Sequence, residues 1–133
     1  MDYSIVQTDE VDVVDLSTVE EIPPDHDMRP IDEALGAEEM KVKLWYIDPG
    51  EEIQYHAHDQ QEELFYVMAG TFSVKVGKSG EEEYREIGPG TFYRAGPRIG
   101  HGHRNVGDEQ GVVLALGAPA VDDPGLNPHA LDE

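Results

Sequence analysis

From Met40 to Ala118 the chain reads as short apolar segments punctuated by turn residues. "MKVKLWYI" alternates at first and stops at Asp48-Pro49-Gly50, a turn signal. "EEIQYHAH", "LFYVMAG", "TFSVKVG", "EYREIG", "TFYRAG", "HGHRNV" and "GVVLALG" follow at short intervals. Seven or eight brief strands broken by Gly and Pro predict an all-β, antiparallel sandwich or barrel over residues 40–118. Residues 1–39 are expected to form an N-terminal arm. Its pieces "YSIV" and "VDVV" have β character and offer an edge strand, a loop follows, and "RPIDEALG" makes one helical turn closing at Gly36. The segment 119–133 holds three prolines and no apolar period, so an extended or frayed tail is expected. Trp45, Phe65, Phe72 and Phe92 are the expected core.

Composition narrows the chemistry. At 133 residues the chain is one domain with room for a core, and it has no cysteine. Disulfides, thiol nucleophiles and cysteine-ligated metals are therefore excluded, and a metal would have to use imidazole, carboxylate, amide or backbone ligands. The start "MDYSIVQTDE" has no basic region leading into an apolar run, and no apolar stretch approaches the roughly 18 residues of a membrane span.

Charge changes the picture most. Asp and Glu number 29 against 9 Lys and Arg, a formal net charge of −20. Such a body repels nucleic acid and anionic membranes, so neither is an expected partner. Carboxylate this dense, with only four lysines, predicts a cytoplasmic protein adapted to concentrated salt, where screening removes the self-repulsion.

Histidines supply the candidate chemistry. His56 and His58 lie two apart, and on a strand such residues project from the same face. Glu62 and Glu63 follow after the polar "DQQ", where the chain must turn or bulge to return a carboxylate to the two imidazoles. His101 and His103 form a second same-face pair 40 residues on, and Asn105 shares their parity. Four of the six histidines thus fall in two His-x-His segments on separate strands. A closed β-shell with both segments inside would bring them to one ion. Two imidazoles and a carboxylate on one side of an ion leave positions open for a substrate or oxygen.

These residues also carry a resemblance. "GEEIQYHAHDQQEELFYVMAG", residues 50–70, is similar to the first motif of the cupin superfamily, Gly-x5-His-x-His-x3–4-Glu-x6-Gly, at every anchor. The second motif, Gly-x5-Pro-x-Gly-x2-His-x3-Asn, resembles "GTFYRAGPRIGHGHRN", residues 90–105, with Gly90, His101 and Asn105 in register. Gly96 and Arg98 stand where that motif has Pro and Gly. The resemblance covers roughly residues 40–118. It implies a jelly-roll barrel with His56, His58, Glu63 (chosen over Glu62 by the count to Gly70) and His101 as ligands of one divalent ion: iron, manganese, nickel or zinc. It leaves the reaction open, since cupins include dioxygenases, isomerases, decarboxylases, lyases, ligand sensors and storage proteins.

Among other residues, Arg98 in the irregular loop is the candidate for holding an anionic substrate, whereas Arg104 should point away from the cavity. His103 should face inward, as a proton shuttle or a donor behind the ligands, or else as a packed histidine. Asn105 is expected to fix a strand end, and His26 and His129 to be exposed and inert. The expected function is a metal-dependent enzyme on a small polar or anionic molecule, dioxygenase-like or an isomerase or lyase using the ion as Lewis acid. The alternative is a non-catalytic metal or small-ligand binder. Pairing through sheet edges into a homodimer is also expected.

Overall fold

The computed structural model describes residues 2–14 and 27–131. Among these residues nine strands form two antiparallel sheets: β1 (Asp27–Pro30), β2 (Lys41–Ile47), β3 (Glu52–His56), β4 (Glu62–Ala69), β5 (Phe72–Val76), β6 (Glu83–Ile87), β7 (Phe92–Ala95), β8 (His101–Asn105) and β9 (Gly111–Ala118). One sheet has the order β1-β2-β9-β4-β7 and the other β3-β8-β5-β6. One helical turn, α1 (Ile31–Leu35), ends at Gly36, whose φ of 73° gives the left-handed cap expected there.

Alternation divides each strand between the interior and the outer face. On β4, Phe65 and Val67 are buried, and on β9 Val113 and Ala115 face them. Trp45 and Ile47 of β2, Met28 of β1 and Phe72 of β5 complete the core between the sheets. Glu63 has the same parity as Phe65 and Val67. The interior row on β4 therefore runs from packed hydrocarbon to a carboxylate, and the site lies at the end of the shell away from the core.

Two expectations need correction, the edge strand and Phe92. The edge strand is "DMRP", which pairs with β2, while Tyr3 and Ile5 of "YSIV" are exposed. From "VDVV", Val11 is buried and the Val14 amide donates to the Met28 carbonyl at 2.9 Å, but neither residue is in a strand. Phe92 is 64 % exposed, because parity turns its neighbour Tyr93 inward and leaves Phe92 tilted against Tyr66 outside. The tail is extended and docks on the shell: Ala57 and Leu126 exchange backbone hydrogen bonds at 3.0 and 2.7 Å. Among the described residues no helix is long and apolar enough to cross a membrane.

Candidate metal centre

Two local devices bring the histidines together. Between Ile53 and His56 the register of β3 against β8 slips, so Ile53 pairs with His103 but His56 pairs with His101. This bulge reverses the parity of His56 and places it directly opposite His101. Close approach of the strands requires Gly102, where a Cβ would stand 2.7 Å from the Ile53 carbonyl oxygen. Strand β3 ends at His56, so His58 is not on the same strand as expected. Its position comes from the Ala57–Leu126 bridge to the tail.

The four side chains converge on one point. Glu63 Oε1 lies 2.7 Å from His101 Nε2, 2.8 Å from His58 Nε2 and 3.6 Å from His56 Nε2. One ligand atom from each of the four lies within 4.8 Å of the others. Each imidazole turns its other nitrogen to a backbone carbonyl: His56 to Gln54 at 2.6 Å, His58 to Asp123 at 2.7 Å and His101 to Ile99 at 2.9 Å. A carbonyl only accepts, so each Nδ1 carries a proton, and in the neutral ring each Nε2 then presents a lone pair. Three such lone pairs face a carboxylate oxygen, which is also an acceptor. Four acceptors at these distances need a positive charge among them. Three imidazolium ions would overcharge a single carboxylate, whereas one divalent cation matches all four lone pairs at once. The donor set fits a metal ion.

Protons on the Nε2 atoms would act on Glu63 in the same sense as a cation. Burial alone would raise its pKa, but hydrogen bonds from His101, His56 and His58 outweigh it and hold the carboxyl far below the usual carboxylate range. Burial would lower the His58 pKa, but Glu63 and the Asp123 carbonyl turn the shift upward. The anchor behind His58 is Asp123, a residue the sequence analysis missed. Its carboxylate accepts the amides of Asp59, Gln60 and Gln61 at 3.0, 2.7 and 2.8 Å, fixing the turn between His58 and Glu63. Burial opposes, but those three amides lower the Asp123 pKa.

The remaining candidates stand around this cluster. His103 is buried and contacts the Tyr93 hydroxyl through Nδ1, while its Nε2 has no partner among the described residues. Burial first, then the charges of His101 and His56, push its pKa down to about 3. Its ring packs edge-on to Phe65 and Phe72. Arg98 reaches Asp59 at 2.9 Å, and its amide donates to the His58 carbonyl at 2.6 Å. Its φ is 65°, the left-handed conformation that a glycine at this motif position adopts without strain. Arg104 is exposed, as alternation requires. Asn105 is 1 % exposed, donates to the Ile47 and Glu109 carbonyls at 2.8 and 2.9 Å and accepts the Gly107 amide, which fixes the strand end as expected. His129 is exposed and bonded to Ser79, and His26 lies outside the described residues.

The cluster opens into a cavity of about 590 Å³. Trp45, Phe65 and Leu126 line it together with Gln61, Lys41 and Lys43.

The profile of the family described as "Cupin domain" matches residues 43–117. The chain is a cupin. Solved structures agree on the fold. A proposed sugar phosphate isomerase of Acidithiobacillus ferrooxidans is 29 % identical, with a TM-score of 0.66, over 74 % of this cupin and 62 % of that protein, so this chain spans less than two thirds of its length. KdgF of Halomonas sp. aligns at 23 % identity and a TM-score of 0.72, over 90 % of this cupin and 97 % of that chain. An RmlC-like cupin of Shewanella frigidimarina aligns at 18 % identity and 0.68, over 92 % and 97 %. A comparison with curated proteins finds no match.

Proposed function

We propose that this cupin is a metal-dependent isomerase or lyase acting on a small polar, anionic molecule. The observation that carries the reading is the set of four acceptors, His56, His58, Glu63 and His101, facing one another at the end of an open cavity. His56, His58, Glu63 and His101 would hold a divalent ion, whether iron, manganese, nickel or zinc, which would supply Lewis-acid polarisation of a substrate oxygen. The chain's own residues would do the rest. Trp45, Phe65 and Leu126 give the cavity apolar walls, which strengthen charge interactions inside it. Gln61, held by its side-chain amide to the Pro119 carbonyl at 3.1 Å, leaves its oxygen as a fixed acceptor for a substrate hydroxyl. The likeness to the Acidithiobacillus protein supports isomerisation of a sugar phosphate over oxygen chemistry.

His103 and Arg98, the two residues expected to take part in catalysis, are proposed to act through their neighbours. His103 braces Phe65 and Tyr93 behind the ligands, and Arg98 ties the His58–Asp59 turn to the loop before β8. A homodimer has its natural place on the outer face of the five-stranded sheet, where Leu64, Met68 and Phe92 stand exposed. Sedimentation of Phe92→Asp against the parent reads that pairing out.

The deciding experiment is metal content of untagged protein purified anaerobically in high salt, followed by proton NMR of sugar phosphates and sugar acids in D2O. One ion per chain, with exchange at the carbon beside the carbonyl and no oxygen uptake, is the expected result. Oxygen uptake would move the reading to a dioxygenase. Tight ligand retention without turnover would make the protein a binder. His101→Ala should lose the ion and His129→Ala keep it; equal behaviour overturns the ligand set.

A further inference from the structure

We infer that Lys41 is the anion contact of this cavity, so that the ligand spans from the metal centre to the Lys41 ammonium. The inference rests on the metal-dependent reading above for one end of the ligand and on an independent feature for the other.

That feature is the register of three strands. On β9, Gly117 pairs with Lys41 of β2 on one side and with Glu63 of β4 on the other. The three residues form one row across the sheet, and Lys41, Gly117 and Glu63 all belong to the cavity lining. Two strand spacings separate Lys41 from Glu63, about 9–10 Å between Cα atoms. Gly117 puts no side chain between them, and a Cβ there would first meet Gln61 at 3.6 Å. The row is thus a trough with a carboxylate ligand at one end and a cation at the other.

The other charged groups of the cavity wall are engaged. Glu63 is surrounded by imidazoles, and Asp123 is held by three amides. Lys43, next inward along β2, bonds both oxygens of buried Asp32 at 2.9 and 3.1 Å. Lys41 has neither a hydrogen bond nor an ion pair among the described residues. A chain with 29 acids and 9 basic residues has carboxylates to spare, yet none of the described ones bonds this half-buried lysine of the cavity wall. A body of net charge −20 repels small anions, so an anionic ligand needs a local reversal of sign. A lysine in the cavity wall supplies it. Arg98, the residue expected for this task from sequence, is committed to Asp59 and lies outside the lining. The ligand class is a small hydroxylated or oxo compound bearing one terminal anionic group, either phosphate or carboxylate.

The test uses the full chain loaded with Co²⁺, its cobalt content measured first, and two matched pairs of probes: ribose 5-phosphate against ribose, and galacturonate against galactose. Calorimetry on the parent should show the charged member of at least one pair bound about tenfold or more tightly than its neutral partner. The pair that shows the larger preference distinguishes phosphate from carboxylate. Lys41→Gln should abolish the preference with cobalt content and visible spectrum unchanged, and Lys41→Arg should restore most of it. A preference that survives Lys41→Gln, no preference in the parent, or no binding of any probe overturns the inference. Failure to take up cobalt defeats the metal reading instead. The charge preference of that metal-free protein, with and without Lys41, then still decides the role of the lysine.

Discussion

The backbone carbonyl of Asp123 accepts the Nδ1 proton of His58 at 2.7 Å across 65 residues of chain, while the carboxylate of the same residue caps the turn that follows His58. One tail residue therefore orients a ligand and fixes the path between two ligands. Partners behind a metal ligand typically change affinity by about 10–100-fold. Asp123→Ala should weaken metal binding by that order, and Asp123→Asn, which keeps one accepting oxygen, should fall between. Competition with a chelator measures this, and an unchanged affinity in Asp123→Ala would show the turn to be self-supporting.

Arg98 holds a left-handed φ with a full side chain. Arg98→Ala loses the bond to Asp59 and keeps the strain, whereas Arg98→Gly loses the bond and releases the strain. The glycine variant should be the more stable of the two by about 1 kcal/mol, against the usual cost of glycine. Both keep the backbone amide that bonds the His58 carbonyl, so both should retain the ion. Thermal melts of the two variants decide it; a more stable alanine variant would remove the strain from this account.

Buried His103 takes up its proton far less readily than in the unfolded chain, with a pKa near 3 against an ordinary 6.5. Between those values the unfolded state binds more protons, so stability rises with pH and is lost as pH falls through the window. One such group contributes a slope of up to about 1.4 kcal/mol per pH unit. His103→Gln should flatten the stability profile between pH 6.5 and 5 relative to the parent. A cation at the neighbouring ligands pushes the same way, so the metal-bound protein should show the same sign. Denaturant melts across that range provide the comparison.

With 29 acids against 9 basic residues, self-repulsion opposes the compact state. The melting temperature should climb as KCl is raised from dilute to molar concentration, because screening shortens the reach of each carboxylate from tens of ångströms to about 3 Å. A melting temperature indifferent to KCl would refute salt adaptation.

Most of the strand plan was legible because its signals are local. Period-two alternation and Gly or Pro punctuation need no knowledge of distant partners, and the second His-x-His segment lies inside a strand, β8, that follows these rules, while the first straddles the end of β3. What escaped depends on pairing. Phe92 looked like core by residue type, but facing is set by register with β4, which buries Tyr93 instead. "DMRP" has no strand propensity and becomes β1 because β2 offers it an edge. His56 faces the site only through a bulge against β8. Asp123 gave no signal at all, since an acid in a Pro-rich tail of so acidic a chain looks like any other until the loop it caps is folded beside it.

The four ligands do not come from one sheet. His56 and His101 belong to the four-stranded layer, Glu63 to the five-stranded one, and His58 to the turn joining them. An ion gripped by all four is a rivet through both layers, so occupancy must appear as thermal stabilisation that grows with the logarithm of free ion over dissociation constant. Candidate ions can thus be ranked by melting curves alone, before any substrate is known.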